Sequence, residues 1–446
     1  MGTQGELRRQ LGLASAVGLV VGEVIGVGIF LTPAGMAKAL GSPFWLLAVW
    51  LVAGAVTVAG ALCLGELAAR YPEAGGGYVY LREAYGPGAA FLFGWMSLLV
   101  MDPGITAALA TGLARYAGYL TELSGPGRVT IALLAVLALA AANVGGVRLG
   151  AGLVRGLSFL KVGLLLLMAC WGFGSGRGDW SNFTPFVAQH AGSAPLAKAL
   201  AAGFVGAFFA FGGWWDVSKM AGEVRDPGRA LPRALLAGTL AVTAAYVLTS
   251  AVFLYLVPVS QVTTDQAFAA RVGEALLGRA GGVVFAGAVA VAVLGSLASV
   301  LMGAPRVYYA MARDGLFLPG VAAVHPRFGT PARAVALQAA LACLLVASGT
   351  FEQILAYFFF TAVAFLGLTV AAVFVLRRRA PDFAAFRTPG YPVTPLLFLV
   401  PTAFLLVLLA LDDPPRALLG TAVVALGIPV YRLTFRRGRP APGQGK

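Results

Sequence analysis

The sequence predicts an all-α integral membrane protein of about twelve transmembrane helices, and three observations carry that prediction. Of its 446 residues, 59% are hydrophobic and only 11% charged, a balance foreign to soluble domains. Apolar runs of about 20 residues, each long enough to cross a hydrocarbon core about 30 Å thick, recur from end to end. Two of these runs are broken by glycine at matching points, Gly26-Val27-Gly28 in the first and Gly212-Gly213 in the sixth.

In chain order the runs cover residues 12–39, 43–69, 87–119, 129–147, 150–174, 198–221, 234–257, 280–312, 334–349, 353–376, 393–411 and 416–432. The first is about twice as long as the apolar region of a signal peptide, so it reads as a span anchored by Arg8 and Arg9. The ninth is short. Between spans two and three, residues 70–86 read as a turn followed by an amphipathic helix lying at the membrane surface. The run Gly75-Gly76-Gly77 lacks the Lys-Ser/Thr and the preceding strand of a phosphate loop, so it reads as a hinge or close-packing turn.

No long soluble segment interrupts residues 1–446, which form one membrane domain. Spans 1–5 (12–174) and 6–10 (198–377) can be laid on each other, each opening with a broken helix. An odd number of spans per half turns the halves in opposite directions, which is an inverted-topology repeat. Spans 11 and 12 (392–432) are an appendix.

The net charge of +14 is unevenly placed. Alternate loops hold Arg8, Arg9, Arg70, Arg82, Arg148, Arg155, Arg225, Arg229, Arg233, Arg313 and Arg377–Arg379 with the basic C-terminal tail. The other side receives Arg128, Arg177, Lys198, Arg271, Arg279 and Arg416. This bias places both termini in the cytoplasm, the chain in the inner (cytoplasmic) membrane, and anionic lipid rather than nucleic acid beside the basic loops. Cys63, Cys170 and Cys343 sit on separate spans without CxxC spacing, so they read as packing residues. The two histidines, His190 and His325, fall in loops on opposite sides, and no catalytic triad, metal-ligand set or cofactor motif can be assembled.

A helix unwound at mid-depth exposes backbone groups that hydrocarbon cannot satisfy, so protein, water or a solute must meet them. At the first break the N–H groups from Gly28 and Ile29 onward suit a carboxylate, helped by the helix dipole. Carbonyls ending the first half at Ile25, and those of Phe209, Ala210 and Phe211 in span six, suit an ammonium. An α-amino acid carries both groups on one carbon. The competing reading makes Gly18, Gly22 and Gly26, spaced by four, a small-residue packing face.

The motif Gly26-Val27-Gly28-Ile29-Phe30 resembles the Gly-Ser/Thr-Gly signature of the amino acid–polyamine–organocation superfamily. Phe208-Phe209-Ala210-Phe211-Gly212-Gly213-Trp214, followed by Glu223-Val224-Arg225-Asp226-Pro227, resembles span six of its L-type amino acid transporter branch. The stretch from Gly65 to Gly86, Lys161, and the stretch from Pro305 to Gly315 match as well, in the same order. The resemblance implies secondary transport of amino acids by alternating access, with spans 1, 2, 6 and 7 rocking against 3, 4, 8 and 9. It implies that Gly26, Val27 and Gly28 hold the substrate carboxylate. Phe209 would then close over the amino acid, while Gly212 and Gly213 line the unwound part. Trp214 is the adjoining aromatic of the same motif. Two departures, Val27 in place of Ser or Thr and Trp215-Asp216 where relatives carry Asn, leave side-chain selectivity open.

Lys161 lies near the midplane, about 16 Å along the helix from Gly150. A bare ammonium there costs a few kcal/mol or more, so it must face the bundle interior or be neutral. By the resemblance it bridges spans one and eight where sodium sits in sodium-coupled relatives, with Ser296 and Ser299 as partners. This implies sodium-independent transport. Glu23, three residues before the break, could pair with Lys161, carry a coupled proton or meet a cationic substrate. Asp102 and Asp216 are further buried-carboxylate candidates, and Glu66 and Glu223 read as solvated charges at cytoplasmic helix ends or, alternatively, as gate bridges to Arg70 or Arg225.

The leading expectation is sodium-independent exchange of neutral L-amino acids, with no obligate protein partner. Proton-coupled movement of cationic amino acids or polyamines is the alternative. A non-transporting scaffold or channel is the reading from a different class, and the paired breaks oppose it.

Overall fold

The computed structural model describes residues 7–26, 28–121, 124–190, 192–262, 273, 278–349, 351–380 and 385–435. Among these, nine helices are long and apolar enough to cross a membrane, and three apolar ones are shorter: Leu13–Val24, Leu196–Ala210 and Ala332–Ser348. The three short ones open spans one and six, which are broken, and form span nine. Apart from one parallel bridge between Leu11 and Val224, no strand pairing occurs among the described residues. Helices satisfy their own backbone in lipid, so this is the expected solution.

Helices α1 (Leu13–Val24) and α2 (Gly28–Leu40) make the first span, α3 (Pro43–Arg70) the second, and α4 (Gly77–Tyr85) the connection to the third. Span three runs through α5 (Pro87–Met96), a π-helical turn (Ser97–Met101) and α6 (Asp102–Thr121). The wide turn falls just before Pro103, which cannot donate to the preceding turn. Next come α7 (Gly125–Val144), α8 (Val147–Gly174) and α9 (Leu196–Ala210), the last continued beyond its break by a 3-10 stretch, Asp216–Glu223. Span seven is α10 (Pro227–Leu256); span eight is α11 (Gly281–Gly303) with α12 (Pro305–Arg313). Helices α13 (Ala332–Ser348), α14 (Phe351–Arg379), α15 (Val393–Asp412) and α16 (Pro414–Val430) complete the chain.

Packing divides these helices into two groups. In one, α3 runs along α10, α1 lies against α10, and α2 lies against α9. In the other, α6 runs along α11 and both meet α13, with α8 between the groups against α1, α10 and α11. Small residues set the close approaches, as they do between helices in lipid. A Cβ on Gly238 would fall 2.5 Å from Val20 Cγ1, and one on Gly54 2.4 Å from Thr243 Cγ2. Helices α15 and α16 sit at the edge, with Leu411 and Leu418 turned outward at 74% and 72% exposure.

Helix α4 departs from expectation. Tyr78, Val79, Tyr80, Leu81 and Ala84 are all buried, so it is wedged inside the protein rather than laid on a lipid surface. The glycine turn before it explains the fit: Gly75 N–H donates to Lys219 O at 3.0 Å, and a Cβ on Gly76 would lie 2.5 Å from Ser218 Oγ. A short amphipathic helix buries its apolar face against protein or lipid alike, and sequence does not distinguish the two.

Candidate functional site

The two broken spans meet at their breaks. In the first, α1 stops at Val24, and Gly26 N–H turns back to Val24 O at 2.8 Å before α2 restarts at Gly28. In the second, α9 stops at Ala210, and Gly212 N–H turns back to Phe209 O at 3.0 Å. A Cβ on Gly28 would lie 2.9 Å from Ala210 Cα, so one backbone rests on the other and no side chain fits between. The Tyr246 hydroxyl of α10 joins the two ends, 2.7 Å from Val24 O and 2.9 Å from Ala210 O. Sequence reading missed Tyr246: a tyrosine in an apolar span looks like packing until its hydroxyl's partners are known.

Lys161 of α8 is wholly buried and donates to Gly22 O at 2.6 Å, Ile25 O at 2.7 Å and Ala292 O at 3.0 Å. Its ammonium thus occupies a cage of carbonyls between α1 and α11, the kind of oxygen set that also coordinates a small cation. Of the two serines expected beside it, Ser296 lies 3.4 Å from Nζ and also faces the carbonyls of Gly22, Glu23 and Ile25. Ser299 instead gives its hydroxyl to Gly295 O in its own helix, one turn further from the lysine. The packing-face reading of Gly18 and Gly22 holds at the same time. Gly18 meets the Arg155 backbone, and Gly22 meets the hydroxyls of Ser158 and Ser299.

The remaining expected site residues divide. Ile25 and Ile29 are buried at the break, and Gly26 lies against Ser296, where a Cβ would be 2.8 Å from Oγ. Val27 lies outside the described residues. Phe209 is 49% exposed and meets Phe359 of α14 edge-on at 5.6 Å. Phe211 is buried between Trp50 and Tyr246, so only its backbone borders the break. Trp214 points away from the gap, packing on Gly60 and Phe398. Gly212 and Gly213 form the turn itself. Gly213 sits at φ +101°, a region costly for any residue with a Cβ, and a Cβ there would fall 2.6 Å from Glu23 Cγ.

Glu23 therefore reaches across from the first break to the second. No ion pair joins it to Lys161 among the described residues; it lies against Gly213, close to the Asp216–Lys219 pair. Lys219, the most consequential residue missed, is 1% exposed and bridges Asp102 Oδ1 at 3.1 Å and Asp216 Oδ2 at 2.8 Å. A lysine well inside the sixth apolar run, away from Lys198 at its edge, was a legible signal. The network continues through the Tyr308 hydroxyl, 3.2 Å from Asp102 Oδ2 and 2.6 Å from Gln338 Oε1, and through Gln338 Nε2 to Thr106 Oγ1 at 2.8 Å. Helices α6, α12, α13 and the Asp216–Glu223 stretch are thereby tied together. A narrow cavity bordered by Trp215, Ser218, Lys219, Met101 and Leu366 lies beside it.

On the face carrying the chain's start, the gap is sealed. Gln10 and Leu11 N–H groups both donate to Glu223 O, Arg225 N–H donates to Leu11 O, and Glu223 pairs with Arg306 at 2.7 Å. Glu66 pairs with Arg377, its Oε1 2.7 Å from Nε. Both carboxylates thus find arginines distant in sequence, not the neighbouring Arg70 or Arg225. Each is buried, which a sequence-adjacent pair at a helix end would not require.

Two broken helices meeting back to back inside an all-helical membrane bundle define a multi-pass transporter, not an enzyme. The chain belongs to the amino acid permease family, whose model matches residues 11–428. It is 32% identical over 434 residues to the serine/threonine exchanger SteT of Bacillus subtilis, covering 95% of this chain and 96% of that one. It is 29% identical to the human large neutral amino acids transporter small subunit 2, over 96% of this chain and 80% of that protein. It is 28% identical to the human cystine/glutamate transporter, over 96% and 85%. Amino acid transport is the activity common to these relatives.

Proposed function

We propose that the protein is a sodium-independent exchanger of neutral L-amino acids working by alternating access in the cytoplasmic membrane, with both termini in the cytoplasm. The observation that carries this reading is the contact between the two breaks, with Lys161 in the carbonyl cage beside it. The substrate carboxylate binds the N–H groups that open α2 at Gly28 and Ile29. Its ammonium binds on the side of the Phe209–Phe211 carbonyls, away from the carbonyls of Gly22 and Ile25 that hold the Lys161 ammonium. Phe209, half exposed beside Phe359, is the side chain placed to close over the substrate.

A fixed ammonium at Lys161 repels sodium, which removes the usual second ion. The helices from 12–174 and 198–377 act as inverted repeats, and the seal at Glu223–Arg306 is the cytoplasmic gate of an outward-facing state. Serine, threonine and leucine are the first substrates to try, in line with the names of the relatives. In liposomes, exchange of labelled amino acid is expected to need amino acid on both faces and to be unchanged when sodium replaces potassium. Phe209→Ala is expected to lower it at least tenfold. Saturable uptake that stops without sodium, or wild-type exchange by Phe209→Ala, would remove this reading.

A further inference from the structure

Around the two breaks, three carboxylates (Glu23, Asp102, Asp216) and two ammoniums (Lys161, Lys219) interact in one buried neighbourhood. The set is one positive charge short. The nearby Glu223–Arg306 pair is balanced by itself and offers nothing. An uncompensated charge at mid-membrane is costly, and although Glu23 is only half-buried, a proton or another cation would balance the set.

The shortfall has an address. Lys219 is committed to one oxygen each of Asp102 and Asp216, and Tyr308 also reaches Asp102. Asp216 is 95% buried, being 5% exposed, and its other oxygen, Oδ1, has no hydrogen-bond partner. The side chain of Glu23 lies against Gly213, where a Cβ would be 3.3 Å from its carboxyl carbon, and the Gly213 carbonyl accepts from Asp216 N–H at 3.0 Å. Two carboxylates offer only acceptors to each other, so their contact becomes a bond when one of them carries a proton. From the other elements packed here, Lys161 on α8 is spent on carbonyls, and the Tyr246 hydroxyl on α10 serves Val24 and Ala210. Glu23 keeps some surface open to the gap, so a proton has a route on and off.

We propose that Glu23 carries an exchangeable proton, which it gives as a hydrogen bond to the unpartnered Asp216 Oδ1, so that the proton bridges the two helix breaks and travels with the substrate. The bridge holds the first break to the second while the site is loaded. Its loss leaves two carboxylates repelling each other across Gly213. This rests on the breaks being the amino-acid site, and the tests separate the two ideas.

Purified wild-type protein and Glu23→Gln are compared in three measurements. First, a neutral amino acid added to weakly buffered wild-type protein above neutral pH is expected to withdraw about one proton per molecule bound, and its apparent affinity to fall about tenfold per pH unit in that range. Second, Glu23→Gln, which is neutral but keeps a hydrogen-bond donor, is expected to flatten that profile and to make the rate of exchange independent of pH. Third, without substrate, the melting temperature of the wild type is expected to fall as pH rises through loss of the shared proton, while that of Glu23→Gln stays level. Parallel pH profiles for the two proteins in all three measurements would overturn the proposal. So would a pH-independent wild type in which Glu23→Gln loses only the binding of arginine or a polyamine, since an organic cation would then fill the deficit. If no amino acid binds at any pH, the transport reading fails, and the melting profiles still decide the proton.

Discussion

The two helix breaks are built on different principles. The first is held through its backbone: Lys161, Ser296 and Tyr246, from three other helices, direct their polar groups at the carbonyls of residues 22–25, and α2 resumes directly. The second is held through charged side chains, with Asp216 and Lys219 tied to Asp102 and thence to Tyr308 and Gln338. Carbonyl cages fix a backbone at one place, because each donor has a single geometry to satisfy. Ion pairs reached by longer side chains tolerate rotation, and they respond to protons and to nearby charge. The first break is thus suited to be the fixed floor of a site, and the second to move and to sense.

The largest expected effect comes from removing the donor that most of the first break depends on. Lys161→Met would leave the carbonyls of Gly22, Ile25 and Ala292 short of a donor. Ser296 still faces all three, so what is lost is the hydrogen bonds to a charged donor, roughly 1.5–3 kcal/mol each. Exchange in liposomes should be lost, with a lowered melting temperature in detergent; near-normal transport would mean the cage is not essential. At the second break, Gly213→Ala forces a Cβ into positive-φ backbone, a strain of about 1–3 kcal/mol, and into Glu23 Cγ. It should cost transport more than Gly163→Ala, whose added Cβ meets open space. Equal activity of the two variants would show that the turn at Gly213 is not held rigidly.

Tyr246→Phe takes the shared hydroxyl from both breaks at once, and an effect of roughly 1–2 kcal/mol is expected for a single lost hydrogen bond of this kind. Because the hydroxyl sets the spacing of the breaks, KM should rise with little change in protein yield; a change in yield alone would make it structural. The smallest effect belongs to Ser299→Ala, within about 0.5 kcal/mol, since its hydroxyl serves its own helix. Ser296→Ala, facing the cage, should be clearly worse in the same thermal assay.

Spans, their order and both breaks were legible because each follows from local rules. Lipid demands runs of apolar residues, and glycine marks the places where a helix can open. Lys161 was legible for a related reason: an ammonium at mid-depth must have a purpose. The packing of Trp214 on Phe398 was not legible, because helical phase is lost at a break and the direction of a side chain beyond it cannot be counted from the preceding turn. The partners of Glu66 and Glu223 were misassigned because nearness in sequence stood in for nearness in space.

By itself, then, the sequence determined an all-helical membrane protein with two opened helices and a cation near them, since composition, periodicity and glycine placement act over a few residues. The tertiary structure alone decided which groups meet in the gap. Lys219 finding Asp102 and Asp216, Tyr246 joining Val24 to Ala210, and Glu23 lying against Gly213 each depend on how helices cross. Those crossings are set by close contacts such as Gly28 on Ala210 and Gly238 on Val20, between residues far apart in the chain.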